Sequence, residues 1–88
     1  MNEKNTSVFD LNVIIQNKDY INDPEGETIY RDLIIKNKYS NIKSVRTAKI
    51  LKIKINAKNI EEAKKTVENM CEELRIYNPI VSNCKIQE

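Results

Sequence analysis

Two cysteines, Cys71 and Cys84, are the strongest nucleophiles in this chain of 88 residues. A cysteine becomes reactive when a basic partner or a helix N-terminus favours its thiolate. Cys71 instead shares an apolar stripe with Met70 and Leu74, and Cys84 falls on the apolar side of a strand-like run. Both read as buried, inert thiols, and two are too few for a disulfide framework or a metal cluster. The sequence contains no histidine. That removes the Ser-His triad, the HExxH zinc site and the imidazole proton shuttle. With a single glycine, Gly26, the chain lacks the Gly-rich loops that cradle phosphates.

The carboxylates invite a second test. Glu61, Glu62, Glu68, Glu72 and Glu73 lie on the polar side of a helical pattern with Lys64 and Lys65 among them. A solvated helix face explains them better than paired-carboxylate catalysis. Arg46, Lys49, Lys52 and Lys54 form a basic ribbon on what reads as the central strand. An RNA-binding sheet stacks bases on aromatic residues, and this run has none. The chain has 15 basic and 13 acidic residues, a net charge of +2, which argues against a dedicated nucleic-acid surface. These residues point away from a self-sufficient enzyme and toward a binding or assembly module.

The elements that carry them follow from periodicity. Residues 1–7 show no pattern and read as a flexible N-terminal tail, leaving 8–88 as one domain. That tail has no apolar core, so it does not read as a signal peptide, and no run approaches a membrane span. A reducing, cytoplasmic setting is expected. Phe9, Leu11, Val13 and Ile15 alternate with polar residues, which predicts a strand with one face in a core. Asp23-Pro24 predicts a helix start, with Asp as N-cap and Pro in the first turn. The stripe Ile29, Tyr30, Leu33, Ile34 carries that helix to about Asn37. Gly26 in its first turn costs roughly 0.5 to 1 kcal/mol against Ala, so it hints at close backbone approach, or at simple tolerance. Residues 42–56 predict one long bent strand or two nearly continuous ones, with Leu51, Ile53 and Ile55 on one face. Asn59 and Glu62 suggest a capping-box variant opening a second helix. Its stripe is Ile60, Ala63, Val67, Met70, Cys71, Leu74. The helix should stop near Ile76 or Tyr77, ahead of Pro79. A last strand over 80–86 sets Ile80, Cys84 and Ile86 inward.

The order β-α-β(-β)-α-β predicts an α+β two-layer sandwich, an antiparallel sheet with two helices on one face, close to a ferredoxin-like half-sandwich. Its outer face would carry Val8, Ile14, Ile50 and Val81. Each forfeits up to roughly 1.5 to 3 kcal/mol if left in water, so a second copy or a partner is expected to cover them.

Several segments also resemble a known family, the PurS subunit of phosphoribosylformylglycinamidine synthase. Asp23-Pro24-Glu25-Gly26 is similar to its D-P-x-G motif, and Val45-Arg46-Thr47-Ala48-Lys49 to its V-R-x-G-K. Glu61-Glu62-Ala63, Met70 to Leu74 and Asn78-Pro79-Ile80-Val81 follow in the family's order. Ala48 stands where the family usually has glycine, and the first helix lacks its Leu-Gly ending. The resemblance implies a small non-catalytic subunit that forms a homodimer or a dimer of dimers. It further implies that the subunit joins an ATP-dependent synthetase and a glutaminase and supports ammonia transfer in purine biosynthesis. No cofactor is expected on this chain; the complex would use ATP and Mg. Asp23, Pro24, Gly26, Arg46 and Lys49 are the expected partner contacts. The alternative is a small ACT-like regulatory domain, although the loop Asn17–Asn22 lacks the glycine such domains place there.

Overall fold

Alternation from Phe9 to Ile15 builds the middle of a sheet. The computed structural model describes residues 5–88, so part of the predicted tail lies outside the described residues. Strand β1 spans Ser7–Asn17 and pairs on both sides, with β2 (Ala48–Ala57) and β3 (Ser82–Gln87). Both ladders are antiparallel, giving the order β2-β1-β3. The β1–β2 register sets Phe9 opposite Ile55, Leu11 opposite Ile53 and Val13 opposite Leu51. Ile86 flanks Val13 from the other side. A period of two therefore sends the apolar side chains of all three strands to one face.

The second helix, α2 (Ile60–Glu73), lies on that face. Asn59 caps it, its side-chain oxygen accepting the Glu62 N–H at 2.8 Å. Leu11 and Val13 of the sheet and Ala63, Val67 and Cys71 of the helix are fully buried together. The helix ends earlier than the proline implied. Arg75 takes the left-handed conformation, φ 53°. Its N–H reaches the Glu72 carbonyl and the Ile76 N–H reaches the Cys71 carbonyl, closing the last turn. Leu74, expected in the stripe, is 63% exposed as a result.

Asp23-Pro24 opens the first helix as expected, but the element is not a uniform α-helix. α1 (Pro24–Thr28) passes into a π-helical segment, Ile29–Ile35. The same C-terminal closure follows, with Lys38 at φ 74°. The Lys38 and Tyr39 N–H groups bond the Ile35 and Ile34 carbonyls. No side chain of the π segment is buried. The unit projects as an arm. A chain of this length has an expected radius of gyration of about 12 Å if compact, whereas this one reaches 17.6 Å with extents of 58 × 26 × 14 Å.

The α+β class and antiparallel sheet stand as expected. Three details differ. Residues 42–47 lie outside the strand, so 42–56 holds one strand that begins at Ala48, and it sits at an edge. Ile80 lies in the turn before β3 and is 73% exposed; Ser82 takes the inward place expected of it. Within one chain α2 covers the sheet, while the first helix stands off it.

Candidate functional site

The two segments that carry the family-like motifs meet in space. Asp23 closes the first turn of α1 by accepting the Gly26 N–H at 3.2 Å. The same carboxylate reaches across to the approach to β2. It accepts the backbone N–H of Thr47 and, at 2.7 and 2.9 Å, the Thr47 hydroxyl. The Asp23 residue is buried, and these donors satisfy both oxygens. They also favour the ionised form. The Thr47 backbone and hydroxyl bonds, then the Gly26 N–H and the Arg46 charge, hold the carboxyl below its usual range against the opposing effect of burial.

Gly26 explains itself in this setting. A Cβ there would sit 2.6 Å from the Val45 carbonyl oxygen and 3.2 Å from the Arg46 Cα. The first turn packs backbone to backbone against residues 45–46, which a side chain would prevent. Close approach, not tolerance, accounts for the glycine, and the approaching group is the chain itself. Arg46 completes the clasp. Its guanidinium donates to the Asn17 and Lys18 carbonyls at 3.2 and 3.0 Å, tying the segment to the end of β1.

Of the five expected partner contacts, the structure thus brings Asp23, Gly26 and Arg46 into one intramolecular clasp. Pro24 and Lys49 are exposed beside it. Lys49 pairs in register with Ile15 and lines an open cleft of about 540 Å³ together with Asn17, Glu25, Thr47 and Tyr77. The basic ribbon is divided. Lys52 and Lys54 share the outer face of β2, where Lys54 pairs with Asp10 at 2.8 Å, while Arg46 precedes the strand.

The outer-face set is divided as well. Ile14 and Ile50 are cross-strand partners, with Lys85 on the other side of Ile14. Val8 is six positions up β1, roughly 20 Å away at the strand rise. Val81 lies in the turn before β3, its carbonyl accepting the Lys18 N–H. Asp10, Asn12, Gln16, Lys52 and Lys54 occupy the ground between. The four apolar residues do not form one patch. Apolar exposure also falls on the arm and the turn after it: Leu33 is 59% exposed and Tyr39 61%. Periodicity had assigned Leu33 to a buried stripe, so its exposure carried no signal in the sequence.

The five glutamates are exposed on α2, as a solvated face requires. Among the described residues no three of His, Cys, Asp and Glu converge where a metal ion could be held. No helix there is long and apolar enough to cross a membrane. What the fold defines is a small α+β module whose polar cluster serves its own architecture and whose arm carries exposed apolar side chains. The comparisons give that class a family. Residues 10–88 match the family model described as PurS, phosphoribosylformylglycinamidine (FGAM) synthase. The PurS subunit of Methanocaldococcus jannaschii is 35% identical over 80 residues, 91% of this chain and 94% of its own. That of Thermotoga maritima is 32% identical over 81 residues, 92% and 96%. The crystal structure of the Thermotoga purS subunit superposes with a TM-score of 0.83 at 31% identity, covering 94% of this chain and 93% of that one. A chain in the structure of Thermotoga PurLQS superposes with a TM-score of 0.81 at 32% identity, covering 93% and 98%. This chain belongs to the PurS family, the small subunits of the glutamine-dependent ligase FGAM synthase.

Proposed function

We propose that this chain acts as a non-catalytic bridging subunit in the cytoplasm, holding a synthetase and a glutaminase together so that ammonia passes between them. The reading is supported by the Thermotoga PurLQS assembly, which contains a chain of the same fold. In such a complex ATP and Mg act at the synthetase, and glutamine is cut at the glutaminase. Free ammonia is protonated and diluted in water. A bridge that keeps donor and acceptor sites in register replaces a bimolecular encounter with a local one.

The observation that carries the reading is the arm. A helical unit with no buried side chain in its π segment has no reason to be apolar in a lone chain. Leu33, Ile35, Tyr39 and Ile42 are all exposed. Leu51, Ile53 and Ile55 at the β2 edge of the inner face are only half-buried. In this reading a second copy covers both surfaces, giving a homodimer or a dimer of dimers. Pro24, Arg46 and Lys49 then remain on the outside to meet the larger subunits, with Asp23 and Gly26 shaping the turn beneath them.

Reconstitution tests the proposal. The chain is mixed with synthetase and glutaminase subunits from the same source, with MgATP and glutamine. Co-elution of all three is expected, with glutamine-dependent FGAM formation that falls at least tenfold when the chain is left out. Activity with ammonium in place of glutamine should fall much less. Equal glutamine-dependent rates with and without the chain would refute the bridging role.

A further inference from the structure

The two cysteines, each expected to be a buried, inert thiol, line the same cavity. Cys71, on the last turns of α2, is fully buried, and Cys84 on β3 is partly accessible; both are free thiols. They line one cavity of about 330 Å³ between the end of α2 and β3, with Lys64, Glu68 and Tyr77 around it. Cys84 packs against the buried core cluster that contains Cys71. At this cavity Cys84 keeps partial exposure, whereas Cys71 is fully buried. Lys64 at the cavity wall is occupied by Glu88 at 2.7 Å.

We propose that Cys71 and Cys84 form an oxidation-sensitive dithiol, in which a low-molecular-weight disulfide reacts at Cys84 and Cys71 resolves the product into an intramolecular bridge. The inference stands independently of the bridging role. In the first step the Cys84 thiolate attacks one sulfur of the oxidant. A Cys84–S–S–R bond forms, the R–S–S–R bond breaks, and RS⁻ leaves to take up the proton that Cys84 lost. In the second, the Cys71 thiolate attacks the Cys84 sulfur. The Cys71–Cys84 bond forms, the bond to R breaks, and a second RS⁻ leaves and is protonated. Two electrons and two protons pass from the pair to the oxidant. Burial, then the neighbouring Cys71 and Glu68, push the Cys84 thiol up, so the first step is slow at neutral pH. The product ties the end of α2 to β3. The Cys71 carbonyl already closes the α2 cap by accepting the Ile76 N–H, so the bridge fixes the helix terminus as a unit.

The experiment treats the full chain with oxidised glutathione, then quenches with acid and reads intact mass, free thiols and thermal midpoint. Loss of both thiols together is expected, with a mass lower by two hydrogens, no cross-linked species on a non-reducing gel, a higher midpoint, and full reversal by dithiothreitol. In Cys71→Ser the glutathione adduct should persist on Cys84. In Cys84→Ser no bridge and no persistent adduct should form. Should either serine variant fail to fold by circular dichroism, Cys71→Ala and Cys84→Ala give the same readout. A wild-type chain that retains a glutathione adduct with Cys71 free overturns the proposal. So does one that cross-links copies, or keeps both thiols under conditions that oxidise it in urea.

Discussion

Gly26 sits in the first turn of a helix, where replacing glycine by alanine ordinarily adds roughly 0.5 to 1 kcal/mol of stability. Here the sign reverses. The added methyl would meet a backbone carbonyl at 2.6 Å and the Asp23 carboxylate at 2.8 Å, and a backbone carbonyl cannot rotate away as a side chain can. Gly26→Ala is expected to destabilise the chain by about 1 to 3 kcal/mol, the usual cost of overpacking. Urea denaturation checks this, and an unchanged or higher midpoint would show that the clasp yields. Asp23 gives the clasp its polar strength, because one carboxylate caps a helix and anchors a segment more than twenty positions away. The same two jobs explain why the motif residues look functional in sequence while three of them act inside the molecule.

Both helices end on a left-handed residue that is not glycine, Lys38 in one case and Arg75 in the other. The bonds of the closing turn repay the strain of that conformation. Their starts are equally local: Asp23 and Asn59 each accept the N–H three positions on. For α2 this cap opens the helix that covers the core. Asn59→Ala is expected to cost roughly 1 kcal/mol, within the usual range for a lost N-cap. Chemical denaturation of the variant measures it. Asn59→Asp should recover most of the loss, since its carboxylate can accept the same bond. Failure of that rescue would mean that the Asn59 side chain does more than cap.

The whole molecule is a covered sheet with an uncovered arm. Its radius of gyration of 17.6 Å is that of a chain with one element standing away from the core. Exposed leucine and isoleucine on that element give a second copy something to bury. Leu33→Asp is therefore expected to leave the helix content of the chain unchanged, because Leu33 is already 59% exposed. Under the proposed pairing of two copies it should lower the solution mass from that of a dimer to that of a monomer at micromolar concentration, read by light scattering. A variant that keeps the dimer mass would move the interface away from the arm, to the Ile14 and Ile50 pair or elsewhere.

Strand faces, helix starts and the buried stripe of α2 were legible in the residues alone, because each is set by contacts within a few positions or by a fixed period. The absence of histidine and of phosphate loops already turned the reading toward an assembly module. The left-handed helix ends were not legible, since lysine and arginine carry no signal for that conformation. Nor was the purpose of Gly26, which depends on a backbone some twenty residues further along. The period of 3.6 says that a helix has an apolar side, but not whose surface that side will meet. Only the tertiary structure decided that α2 lies on the sheet and that the first helix does not, because long-range packing, rather than local preference, selects the partner of an apolar face.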